Sequence, residues 1–321
     1  MTELLRVEGL RTHFDTPEGL VRAVDGVDLR LDAGEILGVV GESGCGKTVT
    51  ALSILRLVAA PGRVVAGRVM FDGRDLLGLS ATAMTAVRGE QIAMIFQQPK
   101  VSLNPVKRIG RQIAEQLVRR RGLSLRAALG EAAELLGSVG IAAPESRLAS
   151  YPHELSGGQA QRVMIAIALA LKPRLLIADE PTTAVDVTVQ AQILRVLRER
   201  CRALGASLIL VTHDLGVVAQ LADRVAVMYA GQVVEQAPVA ALFARPAHPY
   251  TRGLLRSVPR LGRMVPRLRE IPGTVPNLIG GFAGCRFASR CSERLERCAH
   301  EAPPMFGVGH ESRCWLREGV A

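Results

Sequence analysis

Eight residues constrain this chain more than any other feature: Gly41-Glu42-Ser43-Gly44-Cys45-Gly46-Lys47-Thr48, which fits GxxxxGK[ST]. They follow the apolar run Ile36 to Val40 and lead into an apolar stretch of helical character that begins at Val49. A strand, a glycine-rich loop and a helix in that order turn backbone N–H groups and a helix amino terminus toward one anion. Lys47 adds a point charge and Thr48 a hydroxyl suited to Mg²⁺, so the pattern predicts a site for the phosphates of ATP or GTP. Gly41, Ser43, Gly44, Cys45 and Gly46 form the wrap itself, with Cys45 read as a small filler.

The rest of the chain supplies the sheet such a loop needs. Ile92 to Phe96, Leu175 to Ala178, Leu208 to Val211 and Val225 to Tyr229 read as strands, and several are apolar throughout, as in parallel sheets covered on both faces. The fold class is therefore α/β. Between Val101 and Ser150 the β signal fades, and Ile109 to Arg121 and Leu125 to Val139 carry helix formers at helical spacing, which predicts a helical insertion. Cys201 falls on a predicted helix, Val189 to Leu204, as a packing residue.

Composition excludes several classes. Charges are scattered through the first fifteen residues with no apolar core behind them, so no secretory signal is expected. The longest apolar run, Val163 to Leu171, is far short of the roughly 20 residues a membrane-spanning helix needs. Membrane contact should then be peripheral or through a partner. Six cysteines in a chain expected in the cytosol are not read as structural disulfides. The net charge of +10 raises nucleic acid, nucleotide or an anionic membrane as partner, and from Arg245 onward 13 Arg, no Lys and 6 Glu account for +7 of it. Aromatics at 3% leave little for base stacking. Prolines at 246, 249, 259, 266, 272 and 276 predict extended segments and turns in this tail rather than long helices.

Two further motifs sharpen the phosphate site. Leu175 to Ala178 is a buried strand that ends in Asp179 and Glu180; an acid there can reach a metal held over the loop, and its neighbour can polarise water. Asp179 is assigned to Mg²⁺ and Glu180 to the general base. Leu155-Ser156-Gly157-Gly158-Gln159 precedes the helix Ala160 to Leu171, so Ser156 is placed to cap and the glycines to bare N–H donors.

LSGGQ about 20 residues ahead of LLIADEP resembles the signature and Walker B pair of ATP-binding cassette (ABC) ATPases. The resemblance implies a RecA-like core with an antiparallel β edge and a helical subdomain at about 99–155, within a cassette spanning 1–245. It also implies roles residue by residue. Phe14 stacks on adenine; Gln97, the Q-loop glutamine, contacts Mg²⁺ or the attacking water; Asp186 belongs to the D-loop; His213 reaches the γ-phosphate. Thr48, Gln97 and Asp179 are then the Mg²⁺ ligands, and Ser156, Gly157, Gly158 and Gln159 engage the ATP of a second cassette.

The segments AHPYTRGLL (247–255), IPGTVP (271–276) and GCRF (284–287), with SLNP (102–105), resemble the ATPases of oligopeptide/dipeptide importers. That family implies a peripheral protein on the cytoplasmic face of the inner membrane. Its partners are two permeases, a second and distinct ATPase forming a heterodimer, and an extracytoplasmic peptide-binding protein. Nickel and glutathione importers share the tail, so they stand as alternative cargo classes. A soluble ABC ATPase acting on nucleic acid is the alternative of another class, disfavoured by the single cassette, and no nucleic acid is expected as a partner. Residues 246–321 are the small extension, where Cys285, Cys291, Cys298 and Cys314 suit an iron-sulfur cluster or a Cys₄ zinc site. The resemblance favours [4Fe-4S], with nearby arginines offsetting its negative charge.

Overall fold

The apolar run before the phosphate loop is a strand, Ile36–Val40, buried at every position. It lies parallel to Arg224–Tyr229, with Val39 opposite Ala226. Arg224–Tyr229 pairs antiparallel with Gln232–Pro238, and that strand carries the short edge strand Glu311–Ser312. The computed structural model describes residues 2–183, 185–257 and 271–319. The chain falls into two units, Met1–Gly78 with Leu210–Ala321 and Leu79–Ile209, and the division lies inside the strand Ser207–Thr212.

Ile36–Val40, Arg224–Tyr229, Gln232–Pro238 and Glu311–Ser312 belong to the first unit, which also holds an antiparallel sheet in the order Gly19–Asp32, Glu3–Thr16, Gly62–Phe71, Arg74–Asp75. The fold class leads one to expect such an edge, yet its two long strands are not marked by a simple alternation of apolar and polar residues. Register shifts between Val7 and Leu10 and between Thr12 and Phe14 explain why: each bulge resets which face a residue takes.

The tail is built into this unit rather than appended to it. Tyr229, Tyr250 and Phe287 form an aromatic core with Val225, Val227 and Leu242. The Tyr229 and Tyr250 centroids lie 4.6 Å apart, and Phe287 meets Tyr229 edge-on at 5.2 Å. Long helices are absent from the described part of the tail, as its prolines lead one to expect, but one nine-residue helix, Pro249–Ser257, forms here. Its first residue is the proline, where a missing N–H removes no helical hydrogen bond. Pro259 and Pro266 lie outside the described residues. Farther on, the tail consists of turns and short 3-10 segments, Ala288–Arg290, Glu296–Ala299 and Trp315–Arg317.

In the second unit, Ile92–Ile95 lies parallel to Leu175–Asp179, with Met94 opposite Ile177. The predicted insertion is helical: Ile109–Arg121 buries Ile109, Ile113 and Leu117, and Leu125–Ser138 buries Ala128, Ala132 and Leu136, both at the four-residue spacing of one helix face. Helix Val187–Leu204 buries Ile193, Leu197 and Cys201, and burial pushes the Cys201 thiol up to about 12, as suits a packing residue. Among the described residues no helix is long and apolar enough to cross a membrane.

His248 is sealed into the aromatic core, where its Nδ1 accepts the Tyr250 N–H at 3.0 Å. Burial and the nearby Arg252 charge pull its imidazole down to about 3, so it is neutral when folded, while an unfolded chain takes up a proton below about 6.5. Its contribution to stability is complete above that value and is lost toward pH 3, at up to about 1.4 kcal/mol per unit. Between pH 7.5 and 5.5 the thermal midpoint should fall more for the natural chain than for His248→Gln; equal falls would contradict this.

Candidate functional site

The glycine-rich loop runs from Ile36–Val40 into the helix Lys47–Ile54, for which Gly46 is the N-cap at φ 101°. Two glycines are demanded by close approach. A Cβ on Gly46 would lie 2.3 Å from the Ala23 carbonyl oxygen, and one on Gly41 would lie 2.2 Å from that of Met228. Lys47 is buried with its ammonium inside the loop, donating to the Gly41 and Glu42 carbonyls at 2.8 and 3.0 Å. Ser43, Gly44 and Thr48 are exposed, whereas Cys45 is fully buried, and that burial raises its thiol pKa. A filler role for Cys45 agrees with both facts.

The tail grips the same loop. The Tyr250 hydroxyl accepts the Glu42 N–H at 2.8 Å, and Arg290 holds both oxygens of the Glu42 carboxylate. Hydrogen bonding to Glu42 raises the Arg290 pKa, so its positive charge is secure. Nearby, Arg286 donates to Asp25 and to the Ala230 carbonyl. None of these contacts has a local signature, since Glu42 and Arg290 are 248 positions apart.

In the second unit the strand Leu175–Asp179 ends with Asp179 buried, and Glu180 follows at φ 45°, a left-handed conformation uncommon outside glycine. Its carboxylate oxygen Oε2 accepts from Gln97 Nε2 at 2.9 Å and from Thr183 Oγ1 at 2.7 Å. The structure thus brings together two residues predicted from separate motifs, and adds Thr183, to which no motif gives a role. Strain of this kind persists where surrounding contacts over-determine a side chain's direction.

Ser156 caps the helix Gly157–Leu169 in a reciprocal box: its hydroxyl accepts the Gln159 N–H at 3.3 Å, and the Gln159 side chain accepts the Ser156 N–H at 3.0 Å. Gly158 approaches Val189 so closely that a Cβ would lie 2.6 Å from its Cγ1. Asp186 caps Val187–Leu204 by accepting from the Val189 N–H at 2.9 Å; Ala184, two residues before it, lies outside the described residues. In the first unit, His213 is exposed at the turn after Ser207–Thr212, next to Asp214, the N-cap of Leu215–Leu221. Phe14 is half-buried on the strand Glu3–Thr16, its ring lying over Gly62.

Cys285, Cys291, Cys298 and Cys314 carry free thiols, the last two buried. Burial pushes Cys285 up to about 11, and the neighbouring Cys298, Cys314 and Cys291 reinforce the rise. Among the described residues, no three His, Cys, Asp or Glu side chains are grouped to hold a metal ion. The arginines expected to offset a cluster's charge are largely committed elsewhere: Arg286 pairs with Asp25, Arg290 with Glu42 and Arg297 with Glu318. Burial raises the Cys291 and Cys314 thiols, the Arg252 charge opposes that rise at both, and Arg252 itself contacts Glu293 at 2.9 Å.

Residues 24–183 match the ABC transporter family and residues 234–298 the oligopeptide/dipeptide transporter C-terminal region. A probable peptide ABC transporter ATP-binding protein of Sinorhizobium fredii is 54% identical over 99% of this chain and 96% of its own. The oligopeptide transport ATP-binding protein AppD of Bacillus subtilis is 46% identical over 99% of this chain and 98% of its own. Among solved structures, a dimeric ATP-binding cassette in a post-hydrolysis state bound to ADP and Pi superposes with a TM-score of 0.67 at 27% identity, covering 74% of this chain and 99% of that one.

The steric demand on the loop is testable by itself. Gly46→Ala should destabilise the protein by about 2 kcal/mol or more, a fall of several degrees in thermal midpoint. Gly157→Ala, with nothing within 4 Å of the added carbon, should leave the midpoint unchanged. Equal midpoints for the two variants would contradict the close packing described.

Proposed function

The chain belongs to the ATP-binding subunits of oligopeptide/dipeptide ABC transporters, and we propose that it energises the uptake of di- and oligopeptides across the bacterial inner membrane. The observation that carries the mechanism is the Glu180 carboxylate, fixed by Gln97 and Thr183 at the end of a buried strand. A carboxylate oriented in this way can take a proton from attacking water, which is the part of phosphoryl transfer that needs alignment rather than charge. Gly41 and Ser43 to Thr48 receive the phosphates, with Lys47 as the point charge, and Phe14 takes the adenine. His213 is assigned to the γ-phosphate, and Ser156 to Gln159 to the ATP of the partner cassette, with Asp186 in the segment that follows the general base.

ATP hydrolysis in this family uses Mg²⁺, which when bound neutralises charge on the β- and γ-phosphates. Thr48, Gln97 and Asp179 offer hard oxygen donors that fit it. In the domain division that goes with this reading, residues 1–245 are the cassette, its helical subdomain at about 99–155, and 246–321 are the extension. The partners are two permeases, an extracytoplasmic peptide-binding protein and a second, distinct ATPase. The chain sits peripherally at the cytoplasmic face of the membrane.

We further assign the four tail cysteines to a [4Fe-4S] cluster. The support for this reading is the donor set itself, four cysteines of which three act electrostatically on Cys285.

In the assembled transporter, Glu180→Gln should retain ATP while steady-state hydrolysis falls by about 100-fold or more. Normal turnover by that variant would overturn the assignment. Protein purified without oxygen should carry about four iron atoms per chain with broad visible absorbance. Iron-free, colourless protein would remove the cluster.

A further inference from the structure

Glu42 places a carboxylate one residue into a loop that must receive the most negative part of the nucleotide. Left alone, that charge would repel phosphate oxygens, and the glycine-rich wrap offers no cation other than Lys47 to offset it. The structure deals with it from the far end of the chain. Arg290 Nη1 donates to Glu42 Oε2 at 2.6 Å and Nη2 donates to Oε1 at 3.0 Å, the bidentate geometry that fixes a carboxylate in direction as well as charge.

Arg290 is itself immobilised. Its side chain is 4% exposed, against 27% for Glu42. Nε donates to the Pro272 carbonyl at 2.9 Å, Nη2 also reaches the Ile271 carbonyl at 3.2 Å, and the guanidinium carbon lies 5.8 Å from the centre of the Tyr229 ring. The guanidinium therefore draws Glu42 toward the aromatic core rather than following it. The backbone of Glu42 is held as well, its N–H by Tyr250 and its carbonyl by Lys47 and the Cys45 N–H.

We propose that Arg290 is a positioning residue for nucleotide binding: by neutralising Glu42 and drawing it aside, it makes the carboxy-terminal extension a working part of the phosphate site. The role rests on the assignment of Gly41 to Thr48 as the ATP loop. It makes a prediction about sign that simple scaffolding does not. Removing Arg290 exposes an unopposed negative charge to the phosphates, whereas removing both charges restores neutrality.

The test is equilibrium binding of a fluorescent ATP analogue with Mg²⁺ to the full chain. Arg290→Gln should bind roughly tenfold more weakly, and Arg290→Lys, which keeps the charge but not the fork, should lose less, about threefold. Arg290→Gln combined with Glu42→Gln should recover to within about threefold of the natural chain, and Glu42→Gln alone should bind at least as tightly as it. With Lys47→Ala weakened as the loop assignment requires, unchanged affinity in Arg290→Gln, or a double variant no tighter than Arg290→Gln, would overturn the role of Arg290. Lys47→Ala binding as well as the natural chain would instead overturn the loop assignment beneath it. If Arg290→Gln does not fold, Glu42→Gln decides the matter, because weaker binding by that variant contradicts charge compensation.

Discussion

The glycine-rich loop is backed so closely by its neighbours that two of its positions admit only glycine. The Ala23 and Met228 carbonyls approach Gly46 and Gly41 to distances that only a hydrogen can occupy. That contact ties the loop to both the antiparallel sheet and the strand Arg224–Tyr229. Further hydrogen bonds run along the same seam: the Gly231 N–H donates to the Cys45 carbonyl at 2.9 Å, and the Asp25 N–H to the Gly231 carbonyl at 2.9 Å. Arg286 then joins Asp25 to Ala230, while Tyr250 and Arg290 seize Glu42. The extension is braced against the loop proposed to receive the phosphates, and its Arg286 and Arg290 serve that bracing.

A different device holds the carboxylate proposed as the general base. Glu180 pays for its direction with a left-handed backbone, and two hydrogen bonds to one oxygen keep the carboxylate from relaxing. Gln97 comes from the loop after Ile92–Ile95, so any shift of that loop changes what Glu180 can do.

What could be seen in the sequence were the contiguous pieces. Gly41 to Thr48, the apolar strands Ile36–Val40 and Leu175–Asp179, the insertion helices and the Ser156 cap are each specified within a few residues, by glycine, periodicity and capping chemistry. The two opening strands are obscured because bulges shift the pleat, and the short helix at Pro249 because a proline that starts a helix has the same local signature as one in a turn. The clamp on Glu42 had no local trace at all. An arginine in an arginine-rich tail looks like surface charge until its burial and its fork onto a carboxylate are known. The basic tail, which first suggested an anionic partner, proves to spend Arg286, Arg290 and Arg297 on internal ion pairs.

An intact catalytic set and a tail of the oligopeptide/dipeptide type lead to one central claim, that ATP hydrolysis by this chain serves peptide import. The most direct measurement is ATP turnover by the complete transporter in lipid vesicles, with its peptide-binding protein, as short peptides are added. Hydrolysis that rises with peptide and accompanies peptide entry into the compartment on the ATPase side is the predicted result. Hydrolysis indifferent to peptides but stimulated by nucleic acid would contradict the claim.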